Sequence, residues 1–143
     1  MTAKTLDGAM EQSHAALDKI LKGDKSGYEA LFSERDDVTL GNPFGPFARG
    51  RKSVEATLAG VASHYRDGGM TDVDLVATYA SNDLAVVVEN ERGKAKVGGA
   101  EVLAPVAVRV TSVFRLEGDA WKLVHRHADP ITTPRPAESV ITS

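Results

Sequence analysis

The second half of the chain is written in period two, and that pattern restricts the fold more than any other feature. Val73, Leu75, Ala77 and Tyr79 alternate with Asp72, Asp74 and Thr78, and long strand-like runs follow over 84–97, 102–116 and 121–128. Alternation of this kind puts one side-chain set on each face of a pleated strand. Gly98-Gly99 and Gly118-Asp119 lie between the runs, and both pairs are two-residue hairpin signals. The expected product is a meander of four antiparallel strands. One apolar face of such a sheet must be covered, and the first half of the chain has to supply the cover.

That half changes period. Leu6, Met10, His14, Leu17 and Leu21 recur at steps of three and four, with Gly23 as a helix stop. Ser26-Gly27-Tyr28-Glu29 has capping-box spacing and opens a short second helix. Val38-Thr39-Leu40 reads as a short strand. The stretch GNPFGPFARG from Gly41 to Gly50 reads as a turn-rich loop that nevertheless carries Phe44 and Phe47. A third helix is expected from about Lys52 to Asp67, burying Val54, Leu58, Val61 and Tyr65 and ended by Gly68-Gly69. The fold class is therefore α+β: a curved antiparallel sheet wrapped by N-terminal helices. Residues 1–129 form one domain, and 130–143 form an extended, proline-containing arm.

Composition removes several functions. The net charge is −3 without a basic block, so no nucleic-acid footprint is expected. No run of about 18 apolar residues exists to span a membrane. The first residues lack the apolar core of a signal peptide, and the chain has no cysteine. Cytoplasmic residence is the expectation by exclusion.

Two-residue turns would pair Glu89 with Val108, Glu91 with Val106, Ser112 with His125 and Val110 with His127. One sheet face would then gather Glu89, Glu91, Ser112, His125 and His127 among valines, with Trp121 and Asp129 in line on the last strand and His14 on the first helix. One bulge would exchange the memberships beyond it. An apolar wall with a few convergent polar groups is the usual form of a small-molecule site. Solvated or salt-bridged side chains, and a packed histidine at His14, are the plain alternatives. A His-x-His pair also offers two metal ligands, roughly 6.6 Å apart along a strand. The pattern fixes no third ligand, and no metal or other cofactor is expected.

Ala30 to Leu58 (ALFSERDDVTLGNPFGPFARGRKSVEATL), Gly23-Asp24 and the ending Arg109 to Asp129 (RVTSVFRLEGDAWKLVHRHAD) resemble the nuclear transport factor 2-like superfamily. Within it they are most similar to the SnoaL-like, ketosteroid-isomerase-homologue branch of small bacterial proteins. The resemblance runs from about Met10 to Asp129, and Asp119 to His127 is its most specific element. It implies a cone-shaped sheet enclosing a cavity, commonly dimerised through the outer sheet face. The superfamily holds isomerases, cyclases, epoxide hydrolases and dehydratases as well as binding and assembly domains. Two readings follow. In one, the cone binds a compact, partly apolar organic molecule and performs acid/base chemistry on it. Glu89 is then the base and His125 its acid partner. His14, Glu91, Ser112, Trp121, His127 and Asp129 line the site, with Phe44, Phe47 and Tyr65 as walls or mouth. In the other, the protein is a non-catalytic ligand-binding or assembly module. A homodimer through the outer sheet face is expected in either case.

Overall fold

The computed structural model describes residues 3–142. Three helices, α1 (Leu6–Ile20), α2 (Ser26–Leu31) and α3 (Arg51–Ala62), cover one side of a six-stranded sheet. The strands are β1 (Thr39–Asn42), β2 (Gly45–Arg49), β3 (Tyr65–Ala80), β4 (Leu84–Val97), β5 (Ala104–Glu117) and β6 (Ala120–Asp129). Their order is β2-β1-β6-β5-β4-β3. All neighbours run antiparallel except β1 and β6. The expected α+β cone is thus present, with the expected short strand realised as β1 and one unexpected strand, β2, beside the meander. The stretch read as a loop from Gly41 forms the β1–β2 hairpin, whose turn is tied by the Phe44 N–H donating to Asn42 Oδ1 at 2.8 Å. Among the described residues beyond 129 there is a single 3₁₀ turn, Ala137–Val140.

Local chemistry sets the helix ends. Thr5 caps α1, its hydroxyl accepting from the Gly8 N–H at 3.0 Å. At α2 the cap differs from the capping box expected. Ser26 is already helical, and Asp24 accepts from its N–H at 2.8 Å. Helix α3 stops at Ala62, short of the expected Asp67, because the chain from Tyr65 is claimed by β3. Gly68 therefore lies within a strand and does not terminate a helix. A Cβ there would come 2.2 Å from the Lys94 carbonyl oxygen and 2.7 Å from that of Leu21, so only glycine lets β3 pass between them.

Two register details place the site. In the β4–β5 pair, Glu89 faces Val110 and Glu91 faces Val108, a slip of two residues from the expected pairing, because the turn after Val97 is longer than two residues. An even slip leaves every side chain on its expected face. The β5–β6 hairpin begins as expected with Glu117 opposite Ala120 and Phe114 opposite Leu123. A bulge then intervenes, and Val113 faces His125 while Ser112 faces Arg126. This odd shift overturns the expected face for the end of β6. Arg126 and Ala128 point into the cone, whereas His125, His127 and Asp129 lie on the outer face. The core fills the concave side, with Leu31, Phe32, Val38, Val54, Val87, Phe114 and Leu123 all buried.

Candidate functional site

The inner face carries a cluster of ionisable groups within this apolar core. Glu89 and Glu91 occupy alternate inward positions on β4, and both are buried. Arg126 reaches Glu91 from β6 in a two-pronged pair, with its terminal nitrogens 2.8 and 3.1 Å from the two carboxylate oxygens. Burial works against the charge of Arg126, but Glu91 more than offsets it, so the guanidinium stays protonated. The guanidinium also lies 5.1 Å over the ring of Tyr28 from α2. From α1, His14 Nε2 sits 2.8 Å from Glu89 Oε2. That hydrogen bond raises the imidazole pKa above its usual value, with burial opposing it. Ser112 is buried on the same face, between Val87 and Arg126.

A cavity of about 60 Å³ adjoins the cluster, with room for a few waters or one compact organic fragment. Its walls are mostly apolar, from Leu17, Ile20, Leu21, Leu40, Leu58, Val61, Val106 and Val108. The polar wall groups include Tyr28, Tyr65, Glu91 and Arg126. Glu89 and His14 are not on this wall. They stand beside Glu91, with a ligand-type atom of each of the three residues within 4.8 Å of the others. Those three donors have the types and spacing to hold a cation. Both oxygens of Glu91, however, face the Arg126 guanidinium, and Glu89 is paired with His14. Burial pushes the Tyr28 phenol well above its ordinary pKa, so it keeps its proton. Its hydroxyl is the one buried side-chain polar atom among the described residues without a hydrogen-bond partner.

A SnoaL-like domain model matches residues 9–132. The chain belongs to the SnoaL-like family. Solved structures agree on the fold of this SnoaL-like chain. A nuclear transport factor 2-like protein from Salmonella enterica superposes with a TM-score of 0.72 at 16% identity, covering 91% of each chain. A ketosteroid isomerase-like protein from Erwinia carotovora atroseptica gives 0.71 at 18% identity, over 90% of this chain and 95% of that one. A protein named for the calcium/calmodulin-dependent kinase type II association domain, from Thiobacillus denitrificans, gives 0.69 at 23% identity, over 90% and 96%. No curated protein matches the chain.

The structure of this SnoaL-like protein divides the residues expected in the site. Glu89, Glu91, His14 and Ser112 come together inside, and Tyr65 lines the cavity. Phe44 is not on the cavity wall; it is exposed and packs beside Tyr65, with ring centroids 4.7 Å from His64 and 5.8 Å from Tyr65. Trp121 is buried near the β5–β6 turn, its backbone N–H donating to the Ala3 carbonyl at 2.7 Å. His125, His127, Asp129 and Phe47 form a separate group on the outer face. There Thr39 Oγ1 is 2.8 Å from His125 Nδ1, Phe47 stacks near both imidazoles, and Arg109 donates to Asp129 at 2.8 Å. Burial, then the neighbouring His127, lowers the His125 pKa. Sequence reasoning missed Arg126 and the role of Tyr28. One signal for the arginine was present: Leu123 and Val124 are adjacent apolar residues in a strand that otherwise alternates, as a bulge would leave them.

Proposed function

We propose that the cone binds a compact, partly apolar organic molecule and performs acid/base chemistry on it, of isomerase, cyclase or hydratase type. The observation that carries this reading is the cluster of Glu89, Glu91, Arg126 and His14 set beside an apolar cavity. Buried ion pairs contribute little net stability compared with apolar residues of similar volume. Their presence beside a cavity therefore points to use. Glu91 is the carboxylate that meets the bound molecule. The Glu89–His14 pair stands one carboxylate back and holds the mobile proton. In this reading Glu89 retains the proton-handling part expected of it, and His14 replaces His125 as its partner. The test is turnover of a panel of small ketones, enones and epoxides, followed by Glu89→Gln on any substrate found. Loss of about tenfold or more is expected for a group that transfers a proton, and an unchanged rate would remove Glu89 from the mechanism.

One observation favours the non-catalytic reading: each charged member of the cluster already has a protein partner. A molecule recovered unchanged from the cone after long incubation would decide for it. For assembly, we propose a homodimer through the outer sheet face, where Val86, Val88, Thr111 and Val113 are only half-buried. No helix among the described residues is long and apolar enough to cross a membrane, and cytoplasmic residence is part of the same proposal.

A further inference from the structure

We infer that the arm from Pro130 is exchanged between two copies of the chain, its proline-rich stretch seating in the groove between the β1–β2 hairpin and α3 of the other copy. The inference rests on the homodimer proposed above and deepens it by naming what each copy gives and receives.

The arm is shaped but uncovered. Pro130, Pro134 and Pro136 fall within seven residues, and Pro136 has φ −65° and ψ 151°, the polyproline II values. Short hydrogen bonds hold the segment in form. The Ile131 N–H donates to Asp129 Oδ1 at 3.0 Å. The Thr132 N–H and a terminal nitrogen of Arg135 donate to the Pro130 carbonyl at 2.9 and 3.2 Å. Every described residue from Pro130 onward is nonetheless exposed. A segment restrained in this way loses little conformational entropy when it docks.

The groove is open and aromatic. It encloses about 380 Å³ and is lined by Phe44, Pro46, Phe47, Ser53, Thr57 and Gly60, among others. Phe44 is 46% exposed and Phe47 67%. A Cβ at Gly60 would meet nothing within 4 Å, so the helix side of the groove has room for an occupant. Proline-rich segments in the polyproline II conformation dock in aromatic-lined grooves. Their backbone carbonyls are unpaired and can accept from hydroxyls. Ser53 and Thr57 present two, one turn apart on α3.

Position makes a second copy the occupant. Phe47 stacks near His125 and His127 on the outer sheet face, where Asp129, the root of the arm, also lies. The arm does not cover its own Phe47, and both remain exposed. Twofold pairing through the outer face brings each root toward the groove of the other copy and fills both grooves at once. Sheets packed face to face lie about 10 Å apart. The seven residues from Pro130 to Pro136 span about 22 Å as polyproline II, enough to cross.

The test uses the full chain. Protein labelled with carbon-13 at proline is refolded together with protein labelled at phenylalanine, and contacts between the two labels are read by nuclear magnetic resonance. Contacts from Pro134 and Pro136 of one copy to the Phe44 and Phe47 rings of the other are expected. Sedimentation equilibrium then compares two variants. Pro134→Gly with Pro136→Gly loosens the arm, and Gly60→Gln fills the groove with a better helix former that meets no clash. Each should raise the dimer dissociation constant about tenfold, and their combination should add little, because both remove the same contact. Circular dichroism verifies that each variant is folded. A dimer that neither variant weakens overturns the inference and leaves sheet-to-sheet pairing standing. Proline–phenylalanine contacts confined to one chain overturn the exchange in the same way. A monomeric full chain overturns the dimer, and the inference falls with it.

Discussion

Replacing Glu91 with glutamine tests the central pair most directly. The Glu91 side chain is 1% exposed and that of Arg126 is 8%, so neither charge has appreciable access to water. The change leaves a buried guanidinium facing a neutral amide. Breaking one side of a buried ion pair in this way costs about 3–5 kcal/mol. For a chain of 143 residues, an unfolding entropy of about 2.1 cal/mol/K per residue gives about 0.3 kcal/mol/K for the whole molecule. The expected fall in melting temperature is then about 10–17 °C. Differential scanning calorimetry supplies that number, and urea unfolding supplies the free energy independently. The paired change Glu91→Leu with Arg126→Met removes both charges and should lie near the wild type or above it. A single variant costing less than about 1 kcal/mol would refute the reasoning, since it would place the pair in the range of solvent-exposed ion pairs.

Four further outcomes are expected. His14 has a raised pKa in the folded state, so its contribution to stability is complete below about pH 6.5, the unfolded value, and is lost as pH rises through the folded value. Unfolding free energy measured upward from pH 6.5 should therefore decline in the wild type and decline less in His14→Gln. Gly68→Ala should destabilise by about 1–3 kcal/mol or more in urea unfolding, because its Cβ meets two backbone carbonyl oxygens and no side chain that can move aside. Elemental analysis of purified protein should find far less than one equivalent of zinc, iron or manganese, since Glu91 and Glu89 are engaged by Arg126 and His14. Light scattering coupled to size exclusion should give about twice the 15.2 kDa chain mass, and a clean monomer would argue against sheet-to-sheet pairing.

Much of this architecture was legible because it follows from periodicity. The change from steps of three and four to strict alternation separates helices from sheet. The Gly118-Asp119 turn fixed the start of the last hairpin correctly. Glu89 and Glu91 kept their inward face even though their partners were displaced, because an error of two residues preserves the pleat. What escaped depends on interactions that a linear pattern does not carry. The first strand of the β1–β2 hairpin was foreseen at Val38-Thr39-Leu40, but its return strand β2 could not be told from a loop in a stretch rich in glycine and proline. Tyr65 fitted a helical stripe, but β3 pairs it with Val97. Tyr28 entered only through the spacing Ser26-Gly27-Tyr28-Glu29, since nothing in its surroundings along the chain reveals that its hydroxyl is left without a partner.

The bulge in β6 has a consequence for comparing members of this family. Arg126 stands between two imidazoles on one strand, and a single extra residue decides which of the three enters the cavity. Removing that residue would carry the guanidinium to the outer sheet face and bring His125 and His127 to the inner face that holds Glu89 and Glu91. The pocket would change from a charge-balanced one to a chelating one with every nearby amino acid retained. Relatives whose last strands align letter for letter can thus differ in chemistry through one insertion or deletion near Val124. For this branch, the length of the last hairpin carries as much information about the ligand as the residues within it.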